Sequence, residues 1–395
     1  PAVKDGRIVK EVLPTKSRNL MQGYLFNLRR PMFQDRKVRE ALQYAFDFEW
    51  SNRTLFFGQY QRIRSYFGPS ELGATGLPSP EELKILEPFK GKIPDEVFTT
   101  EYNPPKTDGS GDARANLEIA SKLLDEAGWK VEDGVRVKDG MKLDFEILLD
   151  QETFERITQP FIQNLAQIGV KAHIRTVDPA QYQKRIDQFD FDMISHLVAQ
   201  SLSPGNEQRD QWGSKAADTN ASQNLGGIKD PVIDALVEKI IAAKDRDDLV
   251  NTTRALDRVL QWGFYFIPHW NSHSNRLAYW NKFSHPSTNP EYGLTLDTWW
   301  IDPQKEAALK QKVATAPAEP APAEPAPAGD QQAATSPAPA PSPAPAPAPA
   351  ATTSPAAASA ATPPADRGSS PMPYIIGAVV VAVLAFALGR RGRKS

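Results

Sequence analysis

Between Leu143 and Ile194 the hydrophobic period switches repeatedly from two to three-or-four, and this alternation limits the folds open to the chain. Leu143, Phe145, Ile147 and Leu149 alternate with polar residues, as a half-buried strand requires. Phe154, Ile157, Phe161, Leu165 and Ile168 fall on one face of a helix over 152–168, with Pro160 placed to kink it and Gly169 to follow it. Val170, Ala172, Ile174 and Thr176 alternate again. Asp178-Pro179 is an N-cap followed by proline at the first helical position, and that helix carries Tyr182 and Ile186 toward Phe189–Ile194. Strand, helix, strand, helix, strand defines an α/β layer domain.

The last of these strands is the centre of the chain. An acidic and aromatic turn, Phe189-Asp190-Phe191-Asp192, leads into Met193-Ile194-Ser195-His196. A loop of small and polar residues follows, including Gln200, Ser201, Ser203, Asn206 and Gln208. Open α/β sheets bind ligands at the carboxyl ends of their strands, so this loop is the candidate site. An ordinary strand-to-helix connection is the plain alternative.

The flanking segments extend the pattern. Residues 1–19 are polar and irregular, and a short apolar stretch follows at Tyr24, Leu25 and Phe26. Asp35 caps a helix with Val38, Leu42, Ala45 and Phe46 on one face, and the aromatic-rich 48–67 segment reads as a second helix. Residues 68–111, rich in proline and glycine, read as one long loop. Asp112 is expected to cap a helix carrying Leu117, Ala120, Leu123, Leu124 and Ala127, stopped by Gly128. Asp133-Gly134 and Asp139-Gly140 are hairpin-type turns. Beyond the polar 195–229 loop, which includes Trp212 and Asn224, Asp230-Pro231 starts another helix and a further one follows. Phe264–Pro268 reads as a strand.

Composition separates what can fold from what cannot. Much of the content of 35 prolines lies in a Pro/Ala tail over 314–368, which reads as a disordered, polyproline-like linker. Tyr374–Gly389 is uncharged and strongly apolar, and Arg390, Arg391, Arg393 and Lys394 follow it. A helix there reaches about 24 Å, the short end of what spans a bilayer, and the basic tail would lie in the cytoplasm. The chain opens on Pro1 and reads as a fragment or a processed form. A net charge of −2 points to no nucleic-acid partner. The absence of cysteine excludes disulfides and thiolate chemistry.

No catalytic constellation emerges. His269 and His273 are four apart, but Pro268 and the aromatic run argue for extended chain, and solvated or core histidines are the simpler reading. Asp190 and Asp192 read as strand-end charges. There is no Gly-x-Ser-x-Gly and no phosphate loop. The reading is a binding protein, not an enzyme, with no cofactor and no metal.

Gly23–Phe33, then Asp35, Val38–Leu42 and Ala45–Asp47, resembles family 5 extracellular solute-binding proteins of ABC importers. Ala120 to Trp129 resembles their A-x-x-L-L-x-x-A-G-W helix. Phe189–Met193, Ser203–Gln208, Trp212–Ser214, Asn224, Gly227-Ile228, Leu256–Leu260, Ile267–Trp270 and Trp299-Trp300 resemble the oligopeptide and microcin C-binding branch. The resemblance covers roughly residues 15–305. It implies the C-terminal lobe of a two-lobe, type II periplasmic-binding-protein fold. The implied boundaries are 1–19 for the entry or hinge segment, 20–270 for the ligand-binding lobe and 271–312 for the return toward a missing N-terminal lobe. Linker (313–373), transmembrane helix (374–389) and basic cytoplasmic tail (390–395) complete the chain. It implies a peptide or peptide-like ligand held as an added strand, and delivery to ABC permease subunits on the periplasmic side. The implied ligand residues are Ser195, His196, Gln200, Asn206, Trp212 and Asn224. Three departures stand out: the first lobe is missing, Ser201 stands where peptide binders carry an aspartate for the ligand amino group, and the C-terminal anchor is unusual. The alternative function is a membrane-tethered cell-envelope interaction module built from one lobe, and an envelope hydrolase is a third.

Overall fold

The computed structural model describes residues 2–14, 20–272, 274–288 and 294–315. The chain enters through β1 (Ile8–Pro14) and β2 (Leu20–Phe26). Asp35 accepts from the Lys37 amide at 2.9 Å and starts α1 (Arg36–Tyr44). The expected helix over 48–67 is shorter, α2 (Phe48–Thr54), because Phe57 and Gly58 both turn left-handed. The chain then straightens into β3 (Gln61–Arg62).

The long loop expected at 68–111 contains α3 (Pro80–Leu86) and α4 (Glu96–Thr99). The signal for α3 was present: Ser79 caps the Glu82 amide, and Pro80 occupies the first turn. Next comes α5 (Arg114–Glu126), which starts two residues after Asp112. Asp112 bonds the Arg114 amide at 3.1 Å but does not occupy the cap position. Asp133-Gly134 and Asp139-Gly140, all left-handed, fold β4 (Lys130–Glu132), β5 (Val135–Lys138) and β6 (Met141–Lys142) into a small meander.

The expected alternation follows: β7 (Asp144–Leu149), α6 (Glu155–Gln167), β8 (Lys171–Thr176), α7 (Pro179–Asp187) and β9 (Met193–Ala199). The α6 helix continues through Pro160. Asp178 caps α7 through the Ala180 and Gln181 amides, as expected. Then come α8 (Glu207–Trp212), α9 (Pro231–Ile241, capped by Asp230) and α10 (Arg246–Gly263). Left-handed Phe264 ends α10 and opens β10 (Phe266–Pro268) and β11 (Trp270–Asn271). The exit runs through β12 (Ser274–Trp280), β13 (Phe283–Ser284), β14 (Trp300–Ile301) and α11 (Pro303–Thr315). Among the described residues no helix is long and apolar enough to cross a membrane. Residues 374–389, read as a spanning helix, and the 316–373 part of the linker lie outside the described residues.

One five-stranded sheet, ordered β10-β2-β9-β7-β8, organises the rest. Here β7 runs parallel to β8 and β9, while β2 runs antiparallel to β9 and β10. One face presents Tyr24, Phe26, Met193, Phe145, Ile147 and Ile267 to an aromatic and aliphatic core shared with α1, α5 and α6. The other presents Met21, Leu25, Ile194, Val198, Leu148 and Phe266 to a core shared with α9 and α10. Burial on both faces explains the apolar runs Ile147–Leu149 and Met193-Ile194, as expected of central strands. Gly23 is required where β10 closes on β2, since a Cβ there would lie 2.4 Å from the Ile267 carbonyl oxygen. The entry segment is not irregular: β1 pairs antiparallel with β12 from Ile8↔Trp280 to Pro14↔Ser274. Its polar sequence hid a two-stranded ribbon that lacks a one-sided apolar pattern.

Buried polar groups hold the segments that carry little periodicity. Asp257 on α10 accepts from the Ser65 hydroxyl (2.6 Å), the Tyr66 amide (2.8 Å) and the Ala74 amide (2.8 Å). Arg258 bonds buried Glu82 at 2.6 Å. Together they fasten residues 65–82 onto α10. Burial pushes the Asp257 carboxyl up to about 6, against those donors. Asp257→Ala, which orphans three buried donors, is expected to cost about 3 kcal/mol in urea unfolding. Asp257→Asn keeps an acceptor oxygen and should cost clearly less; equal losses would show that charge, not acceptor geometry, is what the site needs.

Candidate ligand-binding site

The carboxyl ends of β7, β8 and β9 lie at one end of the sheet. The same end receives the start of β2 and the end of β10, because these pair antiparallel. Chain entry, chain exit and the strand-end loops therefore meet there.

At this end β9 outruns its neighbour. It pairs with β2 along its full length, from Phe26↔Met193 to Leu20↔Ala199. It pairs with β7 only at Ile147↔Met193 and Leu148↔Ile194. From Ser195 to Ala199 its second edge has no strand partner among the described residues. The parity of that edge follows from three bonds. The Gln22 carbonyl accepts from the His269 amide at 2.8 Å, so Gln22 faces away from β9. Its partner Leu197 therefore turns its own N–H and C=O to the open side. Ser195 and Ala199 share that parity: the Tyr182 hydroxyl donates to the Ser195 carbonyl at 2.9 Å, and Gln211 donates to the Ala199 carbonyl at 3.3 Å. Leu197, between them, has no such cover among the described residues, and 43% of its surface is exposed.

The six residues singled out in the sequence fall into different places. Ser195 lies on the open edge, while the His196 ring points to the α10 side of the sheet, 6.5 Å from the Phe266 ring. Gln200 and Trp212 belong to one hydrogen-bond chain that ends on the edge. Trp212 Nε1 donates to Gln208 (2.9 Å), Gln208 to Gln200 (2.8 Å), Gln200 to Gln211 (2.9 Å), and Gln211 to the Ala199 carbonyl. Asn206 is exposed at the start of α8, and its side chain accepts from Arg209 at 2.7 Å. Asn224 stands apart, its side chain bonding Gly213 and both backbone groups of Ile228. Leu197, Gln211 and Tyr182 carry no sequence signal as site residues. Tyr182 reads as a core position, and only the pairing pattern exposes Leu197.

An aromatic block surrounds His269, on the β10 side of β2. His269 is sealed between Tyr24 (4.3 Å, edge-on), Phe46 (5.4 Å) and Trp270 (4.7 Å, stacked), and neither ring nitrogen has a protein partner. The Arg62 guanidinium lies 4.8 Å over Phe46, and burial lowers its pKa to about 10. His269 is thus a core residue; His273 lies outside the described residues. No group of acidic residues and histidines suited to a metal occurs among the described residues. Asp190 and Asp192 are both held by Arg30, at 3.5 and 2.7 Å. Nearby, Arg62, Ser65, Gly68, Ser70, Gly73 and Asn271 line a cavity of about 180 Å³.

A mixed sheet covered on both faces, entered and left through one paired ribbon, has the α/β fold of periplasmic binding proteins. The chain belongs to the bacterial extracellular solute-binding proteins, family 5, whose middle-region profile matches residues 2–220. It is 49% identical over 305 residues to the probable peptide-binding protein YejA of Agrobacterium fabrum, covering 76% of this chain and 50% of that protein. It is 39% identical over 302 residues to the peptidoglycan-binding protein YepA of the same organism, covering 76% of this chain and 49% of that protein. In structure it resembles the oligopeptide-binding protein AppA of Bacillus subtilis, solved with a nonapeptide, with a TM-score of 0.57 at 20% identity over 75% of this chain and 52% of that one. The chain spans about half the length of the curated relatives it matches.

The burial of two histidines at this end of the sheet predicts acid sensitivity. Burial pushes His196 down to about 4 and His269 well below its ordinary value of 6.5. Both bind fewer protons folded than unfolded, so their stability contribution is complete above about pH 6.5 and drains as pH falls toward 4. His269→Phe fills the same aromatic cage without a titrating ring. Thermal melts between pH 4 and 7 should show a flatter pH dependence for that variant, and an unchanged slope would place the acid sensitivity elsewhere.

Proposed function

We propose that this chain is the ligand-holding part of a substrate-binding component of an ABC importer, which captures peptides or peptide-like compounds outside the cytoplasmic membrane and hands them to a permease. The observation that carries the reading is the unpaired edge of β9. A peptide backbone laid there meets the N–H and C=O of Leu197 and the remaining polar groups of Ser195 and Ala199, which is recognition by strand addition. Such recognition is indifferent to side-chain sequence, as a transporter of mixed peptides needs.

In this reading Ser195 contributes directly, and Gln200 and Trp212 act through Gln211 by fixing the Ala199 carbonyl. His196 backs the edge from the opposite face, Asn206 braces the start of α8 through Arg209, and Asn224 serves the fold away from the edge. The β1–β12 ribbon is the natural hinge, since it carries both crossings of the chain; closure about it would be driven by contacts made only when ligand is held. The names of the relatives, one peptide-binding and one peptidoglycan-binding, favour a peptide or a peptide-bearing wall fragment as ligand. Residues 374–389 would anchor the protein, with the C-terminus inside.

The test uses the protein as its gene encodes it, in calorimetry against a pool of short peptides. Leu197→Pro removes the outward N–H without touching the β2 ladder and should weaken binding about tenfold, the loss of one hydrogen bond. Leu197→Ala should change affinity little. Full-strength binding by Leu197→Pro, or by peptides N-methylated along the backbone, rules out strand addition at this edge.

A further inference from the structure

We propose that Asp150 is the carboxylate that receives a cationic group of the bound peptide; this deepens, and rests on, the strand-edge reading above. Strand β7 ends at Leu149, and Asp150 is the first residue beyond it. Parallel pairing between β7 and β9 advances one residue for one, from Ile147↔Met193 to Leu148↔Ile194. Continued, it would set Leu149 beside Ser195 and Asp150 beside His196. The strand stops, and an added peptide would take up the vacated line, with one end or one side chain abutting Asp150.

Three observations set Asp150 apart from its neighbours. It is half-buried, yet no hydrogen bond or ion pair reaches its carboxylate among the described residues. An aspartate just before a helix ordinarily caps it, but the helical turn at Glu152–Phe154 has Gln151 at its cap position and no side-chain cap. Its charge is felt at the Tyr182 hydroxyl, the group that fixes the Ser195 carbonyl at the start of the open edge. Asp150 keeps both carboxylate oxygens free of protein partners among the described residues, so a ligand cation can engage it with a charge-assisted hydrogen bond.

The surroundings favour the same sign. The strand-end loops 150–155, 177–179 and 200–207 themselves contain Asp150, Glu152, Glu155, Asp178 and Glu207 and no lysine or arginine; the Arg246 guanidinium, which donates to the Leu202 carbonyl, is already paired with Glu71. Three of these already have partners: Glu155 accepts from the Thr176 hydroxyl, Asp178 caps α7, and Glu207 accepts from the Gly205 amide at 2.8 Å. Glu152 is exposed. Asp150 is therefore the half-buried acid left for a ligand. Its partner is an ammonium or guanidinium, supplied by the peptide's amino terminus or by a lysine or arginine side chain.

The test again uses the full gene product, wild type and Asp150→Asn, with Leu197→Pro as the control for the edge itself. Four peptides of one length are titrated: free or acetylated at the amino terminus, each with lysine or norleucine at a central position. Wild type should lose about tenfold in affinity when the recognised cation is removed, and Asp150→Asn should lose that discrimination; the peptide pair that shows the loss identifies the source. If Asp150→Asn unfolds by circular dichroism, Asp150→Ser takes its place. Discrimination undiminished in the variant, or no discrimination in wild type, overturns the Asp150 assignment while weakened binding by Leu197→Pro keeps the edge. Full-strength binding by Leu197→Pro, or no peptide binding by wild type, overturns both.

Discussion

The structure depends on one long-range grip: residues 27–30, just after β2, hold the turn at 189–192, just before β9. Asn27 donates to the carbonyls of Phe189 and Phe191 at 3.0 and 2.7 Å. Arg29 lies 3.6 Å over the Phe189 ring and donates to the carbonyls of Leu225 and Ala217. Arg30 pairs with Asp192 at 2.7 Å. Phe189 itself is left-handed, a conformation that bulky residues adopt only when their surroundings enforce it. These bonds start β2 and β9 in register, and every residue pair up to Leu20↔Ala199 follows from that start.

That register has a functional consequence. Because β9 is bound to β2 for its whole length, it can extend past β7 without support from the other side. A central strand acquires an edge over its last residues, on a sheet otherwise buried on both faces. Free edges invite aggregation, and proteins usually shield them. Here Tyr182 and Gln211 cover the carbonyls on either side of Leu197, so the open length is short. The same features that limit unwanted pairing select for a short partner strand.

Buried arginines fix the periphery where apolar pattern is weak. Arg39 donates to the Gly263, Phe33 and Gln34 carbonyls, tying α1 to the end of α10. Arg136 donates to Ile168, Trp129 and Asp125, tying the small meander to α5 and to the end of α6. A guanidinium suits this task because its five donors diverge in a plane and reach carbonyls from separate segments. The expense of burying each charge is offset by several short hydrogen bonds at once.

The sequence by itself determined the α/β layers, because period-two and period-three-to-four patterns with Asp-Pro starts encode local geometry. It also marked the turn before β9 and the loop after it, and its family motifs identified the class. It did not disclose the β1–β12 ribbon, the helix at Pro80–Leu86 or the early end of α2, where short elements and left-handed residues leave little periodic signal. Nor could it rank Ser195, His196, Gln200, Asn206, Trp212 and Asn224. Whether a polar side chain serves a ligand or its own fold depends on which partners lie within about 3 Å, a distance set by segments far apart in the chain. Asn27 and Asn224 became clasps, Gln200 a link in a chain, and unremarkable Leu197 the open backbone position. Those roles were decided by tertiary structure alone, because an unpaired edge is a property of two strands of unequal length and not of either sequence.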